Sequence, residues 1–350
     1  MSDAPLRVAV VGLGWWAGPI GNAARRSEKL EIVSCFTRNE EKRNNYAAEY
    51  GCAQAGSYEA LLENDDVEGI LLTSQNTAHA AQIEAAMAAG KHVWVEKPIT
   101  NTLAEVPGVL KAWRAAGRVL SVGHCYRRAA GHRVMKRMID DGTLGKPLWA
   151  EAAFTSPAGQ NFTTDRWRYF KSECPGGPLM QMGIHHCDTL QYLLGRPVRI
   201  YGVHKHMATP AEIDDVSMTT YEHESGAVSN VTTCFTSPDI FSMKLHGTEA
   251  AVHLEMIREN IAVAERTNEE TTLLMKKKGE TGWTDVPLPG MCDMLQDELE
   301  EFAECVRAGK DPETGPAEAV HALAMVEGSV RSAEEGRPLD VAALLDGIDL

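Results

Sequence analysis

At 350 residues the chain is too long for one ordinary domain, and its apolar fraction of 44% is that of a globular protein with a full core. Its 34 basic and 49 acidic residues leave a formal net charge of −15, which argues against nucleic acid and anionic membrane as partners, since both select clustered Lys and Arg. The eight cysteines form no C-x-x-C pair, so reduced thiols in a cytoplasmic protein are expected rather than a disulfide framework.

The opening MSDAPLRVAVVG leads straight into a strand and does not read as a secretion signal. No stretch approaches the ~20 apolar residues of a membrane span. Residues 7–12 form a continuous apolar run, followed by a Gly-rich turn and a helix to about residue 29. A second strand is predicted at 31–37 and a second helix at 39–50, then a short piece at 53–55 and a helix at 58–64. Residues 67–74 are a strong strand. The alanine-rich stretch 77–90 reads as a helix stopped by Gly90. A strand at 91–98, a helix to about 117 and a strand at 118–126 complete the series. Strands alternating with helices of this length predict parallel pairing through crossover helices.

The rhythm then changes. A helix at 132–141 leads to a strand at 147–155, and a continuous helix is predicted over 179–195. From 198 to 277 several strands follow with short turns, including a hairpin at Ser225-Gly226. Helices at 291–308 and 315–335 close the chain. The expected organisation is an α/β dinucleotide-binding domain over 1–123 and an α+β domain with a mainly antiparallel sheet over 124–350. The second domain would bind substrate and oligomerise, and the closing helices are candidates to pack back on the first.

The turn after the first strand carries Gly12, Gly14 and Ala17, a G-x-G-x-x-A pattern in the required strand–turn–helix setting of a Rossmann domain. The first glycine makes the turn, the second admits a pyrophosphate, and the small third residue lets helix and strand approach. Of Trp15 and Trp16, one is expected under the helix and the other near the cofactor or covering the site. An acid at the end of the second strand would bind the ribose of NAD. The chain has Thr37, Arg38 and Asn39 there, which favours the 2′-phosphate of NADP over NAD. The alternative is that Arg38 stacks on adenine with either cofactor.

The stretch WVEKPIT puts Glu96, Lys97 and Pro98 at the end of a buried strand. Open α/β sheets bind ligands at that end. Burial and a positive nicotinamide would both depress the Lys97 amine and make it a base. A cis Lys97–Pro98 bond is expected to fix the turn. The alternative is a Lys97–Glu96 pair at the sheet rim.

Gly12-x-Gly14-x-x-Ala17, Asn76 to His79, Gly90-Lys91-His92-Val93 with Glu96-Lys97-Pro98, Gly145-Lys146-Pro147, Gly176-Gly177 and Gly183-x-His185-x-x-Asp188 together resemble the Gfo/Idh/MocA oxidoreductase family. The match runs along nearly the whole chain, to around Ser332–Gly336. The resemblance implies a Rossmann domain, then an α+β domain whose large sheet commonly makes oligomer contacts through its outer face. It implies that Lys97 matches the family's catalytic lysine and His185 its catalytic histidine. Many sugar- and inositol-oxidising members carry an aspartate four residues before that histidine, where this chain has Gln181. On a helix, Gln181 and His185 would share one face. Glutamine orients but takes no proton at neutral pH, which argues against inositol and simple aldoses as substrates.

Further candidates surround these. Tyr126 and Arg127 follow the last strand of the first domain; Arg127 would bind a carboxylate or polyol oxygen or form a salt bridge across domains. Trp167 and Arg168 precede the helix of His185, and Trp167 suits a sugar face or core packing. Asp188 would hold the His185 imidazole or touch substrate, while His186 reads as structural. Asn76 and His79 open a helix beside the nicotinamide position, with Thr73 before them; Asn76 is also a candidate helix cap. No zinc spacing is found, and no metal is expected. The expected activity is NAD(P)-dependent hydride transfer to or from a ring alcohol of a carbohydrate-like substrate, in a homo-oligomer (dimer or tetramer). Glycoside cleavage by transient oxidation, cis-dihydrodiol oxidation and a non-catalytic dinucleotide sensor are the alternatives.

Overall fold

The computed structural model describes residues 4–256, 271–290 and 293–350. The predicted helix start at 291 lies outside them, as does the stretch 257–270. The chain divides into two compact units. The first runs to His124 and takes back Asp293–Val320 and Ile348–Leu350. The second holds the described part of Cys125–Cys292 together with His321–Gly347.

Six parallel strands form the sheet of the first unit: β1 (Leu6–Val11), β2 (Leu30–Phe36), β3 (Ala53–Gln54), β4 (Gly69–Leu72), β5 (His92–Glu96) and β6 (Leu120–Gly123). Their order is β3-β2-β1-β4-β5-β6, so the winding reverses between β1 and β4. β4 reads GILL and is buried at every position, the unbroken apolar run of a strand covered on both faces. The crossovers are α1 (Ala17–Arg26), α2 (Glu40–Tyr50), α3 (Tyr58–Leu62), α4 (Asn76–Ala88) and α5 (Val106–Ala116). Their ends follow local chemistry: Asn39 caps α2 by accepting from Lys42 N at 2.9 Å, and Gly51 ends it in the left-handed region at φ 69°.

The second unit is built on a nine-stranded sheet. Its strands are β7 (Pro147–Thr155), β8 (Pro197–Lys205), β9 (Val216–His223), β10 (Val228–Cys234), β11 (Ile240–Gly247), β12 (Ala250–Met256), β13 (Thr271–Lys277), β14 (Thr284–Asp285) and β15 (Leu339–Asp340). The order is β14-β13-β12-β11-β7-β10-β9-β8-β15. Every pairing is antiparallel except β7 with β10, which run parallel in register from Trp149↔Val228 to Thr155↔Cys234. Burial alternates strictly along β9, so one face is covered and the other open. The Ser225-Gly226 turn joins β9 to β10 as a hairpin. Helices α6 (Ala130–Asp140) and α7 (Ile184–Leu194) belong to this unit, and α7 lies against β7 and β10. The long closing helices are α8 (Met294–Ala308) and α9 (Pro316–Glu335); α8 belongs to the first unit, where it lies against α1, β2 and β5.

The predicted helix over 179–195 is not uniform. Leu179–Gly183 forms a π-helical turn, and the regular α-helix that follows runs from Ile184. Gly183 is wedged there: a Cβ on it would stand 2.6 Å from Leu179 Cδ1 and 2.7 Å from Thr233 Cγ2. A wider turn at one point is invisible to apolar periodicity, and such turns gather at functional sites.

Candidate active site

In the first unit the chemistry-bearing residues collect where β1, β4 and β5 end. These strands are neighbours, so their following loops lie side by side at the topological reversal. Gly12 follows β1 at φ +89°, and a Cβ there would meet Ser74 N and Cα at 2.5 Å. Only glycine lets the two loops approach so closely. Thr73 fixes that approach by donating its hydroxyl to Gly12 O at 2.8 Å. Gly14 is different, because a Cβ there would meet nothing within 4 Å. Its surroundings are open, the room a phosphate requires.

Helix α1 starts beside this space. Its first turn carries no acid and has no side-chain cap, which leaves its positive end available to an anion. Ala17 is buried at the helix start. Neither tryptophan packs under the helix as expected. Trp15 is 72% exposed, and its ring lies 5.4 Å from that of Trp16. Trp16 reaches past β4 and donates its indole N–H to Glu96 Oε1, because Glu96 is buried and needs a donor.

That carboxyl is unusual. Burial pushes Glu96 up to about 7, against the opposing pull of the Lys97 charge and the Trp16 N–H. Lys97 follows directly, half-buried, and the Lys97–Pro98 bond is cis. His79 is fully buried beneath the loop. Its Nδ1 faces Pro98 O at 2.7 Å and its Nε2 faces Ser74 O at 3.2 Å. Burial holds its pKa down, although both carbonyls favour the charged ring. His79 therefore ties the Lys97–Pro98 turn to the end of β4. Asn76 does not cap α4. Gln75 holds the cap position, and Asn76 is the first helical residue. Its Nδ2 is buried without a hydrogen-bond partner among the described residues, which fits a donor waiting for a ligand. At the end of β2, Thr37 O accepts from Arg43 at 2.7 Å, Arg38 is exposed and Asn39 is spent on capping.

The raised Glu96 carries a pH signature. Between its ordinary value and about 7 the folded protein holds a proton that the unfolded chain has released, so stability falls as pH rises through this window. Glu96→Gln keeps an acceptor for Trp16 but removes the titration. Its stability relative to the parent is expected to rise by about 2 kcal/mol between roughly pH 5 and pH 8. Urea unfolding of both proteins at the two pH values measures this; parallel pH curves would rule it out.

In the second unit, Cys125–Arg128 forms a tight turn directly before α6. Arg127 does not bridge to the other domain through this contact; its Nε donates to Asp188 Oδ2 at 2.8 Å and a terminal nitrogen donates to Oδ1, both residues belonging to the second unit. The side chains are only 4% and 1% exposed, a buried bidentate pair. Asp188 thus holds Arg127 on α7. Tyr126 is buried, stacks on Phe241 at 4.8 Å and lies 4.6 Å from the His185 ring. Aromatic packing therefore sets the His185 ring beside the turn. His186 Nε2 lies 3.1 Å from Ala153 O. Gln181, in the π-helical turn one turn before His185, accepts at Oε1 from Arg168 Nε at 3.1 Å. The guanidinium of Arg168 lies 4.3 Å over the Trp167 ring. Among the described residues no group of three metal-ligating side chains gathers.

The sequence comparisons agree with this architecture. Residues 6–124 match the model of the Gfo/Idh/MocA oxidoreductase family with an NAD-binding Rossmann fold, and residues 132–253 match its C-terminal domain. A solved oxidoreductase structure from Desulfitobacterium hafniense is 34% identical over 99% of this chain and 100% of its own, with a TM-score of 0.94. The 1,5-anhydro-D-fructose reductase of Ensifer adhaerens is 28% identical over 91% of this chain and 93% of its own. The scyllo-inositol 2-dehydrogenase (NAD(+)) of Bacillus subtilis is 26% identical over 82% of each. The chain belongs to the Gfo/Idh/MocA family and is an NAD(P)-dependent oxidoreductase.

Proposed function

We propose that the protein interconverts a secondary ring alcohol and its ketone on a small carbohydrate-like molecule, with Lys97 exchanging the hydroxyl proton and His185 assisting. The position of Lys97 carries this reading. It stands at the end of β5, braced by His79 below and preceded by a Glu96 that Trp16 ties to the glycine loop. Gly12, Gly14, the start of α1, Thr73 and Asn76 are the residues that would hold the dinucleotide. Trp15, Trp16, Thr37, Arg38, His79, Glu96 and Lys97 would border it. A bound nicotinamide would supply the hydride acceptor or donor. Lys97 takes the hydroxyl proton in oxidation and returns it in reduction, and the π-helical turn and Tyr126 hold Gln181 and His185 for the substrate. Arg127 and Asp188 support this arrangement from behind.

Among the described residues no acid stands at positions 37 to 39, and this supports NADP over NAD. The open face of the nine-stranded sheet exposes Trp149, Tyr201, Val203, Met218 and Val228, which supports a homo-oligomer closed through that face. Seven described cysteines are free thiols, in keeping with a reducing compartment such as the cytoplasm. No described helix is long and apolar enough to cross a membrane.

The test is turnover of sugars, polyols and sugar acids with NAD and with NADP, followed by nicotinamide absorbance. Reduced nicotinamide accumulating with a ring alcohol, faster with NADP, is expected. A panel that leaves the nicotinamide unchanged would overturn the reading, and faster turnover with NAD would overturn the cofactor assignment alone.

A further inference from the structure

Arg168 is an exposed arginine with little of the freedom of one. It sits in the short turn Trp167–Tyr169. Its Nε donates to Gln181 Oε1 at 3.1 Å, and its guanidinium carbon lies 4.3 Å from the centre of the Trp167 ring. A guanidinium only donates, so this bond also fixes which amide atom of Gln181 faces it. The Nε edge is thus engaged and the guanidinium lies against an aromatic ring, while the two terminal nitrogens make no hydrogen bond or ion pair with any described residue. The nearby Asp165 is turned to the Thr163 hydroxyl. What remains is the end-on fork of two parallel N–H groups, whose spacing matches the two oxygens of a carboxylate.

Gln181 explains why the charge survives. A carboxylate at position 181 would form an ion pair with Arg168 and cancel it. The neutral amide orients the guanidinium and leaves its charge for a ligand. Gln181 is itself buried, on the turn that leads into the helix of His185. The fork is therefore anchored to the same continuous helical segment as the proposed catalytic histidine.

We propose that the substrate bears a carboxylate, as a uronic or aldonic acid does, and that Arg168 binds it end-on, with Gln181 and Trp167 as its positioning residues. This rests on the hydride-transfer reading above and narrows its substrate class. A single carboxylate matches a single fixed guanidinium in charge and planarity. A phosphate dianion would call for a second fixed cation.

The experiment compares matched neutral and acidic sugars, together with sugar phosphates, in the complete protein supplied with cofactor. Steady-state kinetics are paired with calorimetric binding of one sugar acid. The acidic member is expected to have a kcat/KM about tenfold or more above its neutral partner. In Arg168→Gln the acid-to-neutral ratio is expected to fall about 30-fold, chiefly through KM, with a matching loss of calorimetric affinity. Arg168→Lys should recover part of it, because charge returns without the fork. Gln181→Asp should also lower the ratio, because the new carboxylate competes for Arg168. An unchanged ratio in Arg168→Gln, or a preference for phosphates over carboxylates, would overturn the assignment. Turnover of neutral sugars alone overturns only the carboxylate, whereas no nicotinamide turnover with any sugar overturns the underlying hydride-transfer reading as well.

Discussion

Replacing Lys97 with alanine is expected to lower kcat by about a thousandfold, the middle of the range for a positioned general acid–base group. The expectation rests on where the amine stands. Lys97 is half-buried at the mouth of β5, next to a cis Lys97–Pro98 bond that His79 holds from below. None of the features that would hold the dinucleotide belongs to the lysine side chain. Gly12 and Gly14 act through backbone and open space, and the start of α1 through its N–H groups. The affinity of Lys97→Ala for nicotinamide dinucleotide should therefore stay within a few-fold of the parent. Single-turnover kinetics and fluorescence titration separate the two quantities. Loss of turnover with intact binding is the expected pair of results. An unchanged kcat would remove Lys97 from proton transfer, and abolished binding would make it a cofactor ligand instead.

Asp188→Ala is expected to destabilise the second unit by about 3–5 kcal/mol, the usual penalty for stranding one partner of a buried ion pair. Arg127 is 4% exposed and Asp188 1%, so neither charge can turn to water. The guanidinium also lies 5.2 Å from the Tyr192 ring, a contact that does not replace the lost carboxylate. The double change Arg127→Met with Asp188→Ala should recover part of the loss, since it removes the buried charge that lost its carboxylate and keeps most of the arginine's volume. Thermal unfolding of the parent, both single variants and the double variant tests this cycle. Additive losses would mean the two side chains do not act as a pair. The pair also joins the turn that carries Tyr126 to α7, which carries His185. Activity should accordingly fall in Asp188→Ala well below its melting temperature.

Much of this was legible in the sequence because it is local. The glycine loop, the apolar runs of β1, β4 and β5 and the acid–base–proline string at the end of β5 each announce themselves within ten residues or so. Strand–helix alternation predicts the parallel sheet of the first unit, and the loss of that rhythm marks the α+β unit. Contacts between distant residues were not legible. The bond from Trp16 to Glu96 spans 80 positions, and the Arg127–Asp188 pair spans 61. No pattern along the chain announces which buried acid an indole will satisfy. The parallel pairing of β7 with β10 inside an otherwise antiparallel sheet is likewise a matter of which strands meet. The π-helical turn escaped for another reason: Leu179, Met180 and Met182 are apolar in any helix, so the sequence carries no mark of one wider turn. Asn76 shows the reverse error. It stands where a cap belongs by composition, yet the helix begins one residue earlier in its geometry and leaves the amide buried for another use.

A deuterium on the reacting ring carbon of an active alcohol tests hydride transfer assisted by Lys97 most directly. The label is expected to appear in the reduced nicotinamide, at a rate that falls about a thousandfold in Lys97→Ala. Label that stays with the sugar while product forms, or a rate indifferent to Lys97, would contradict it.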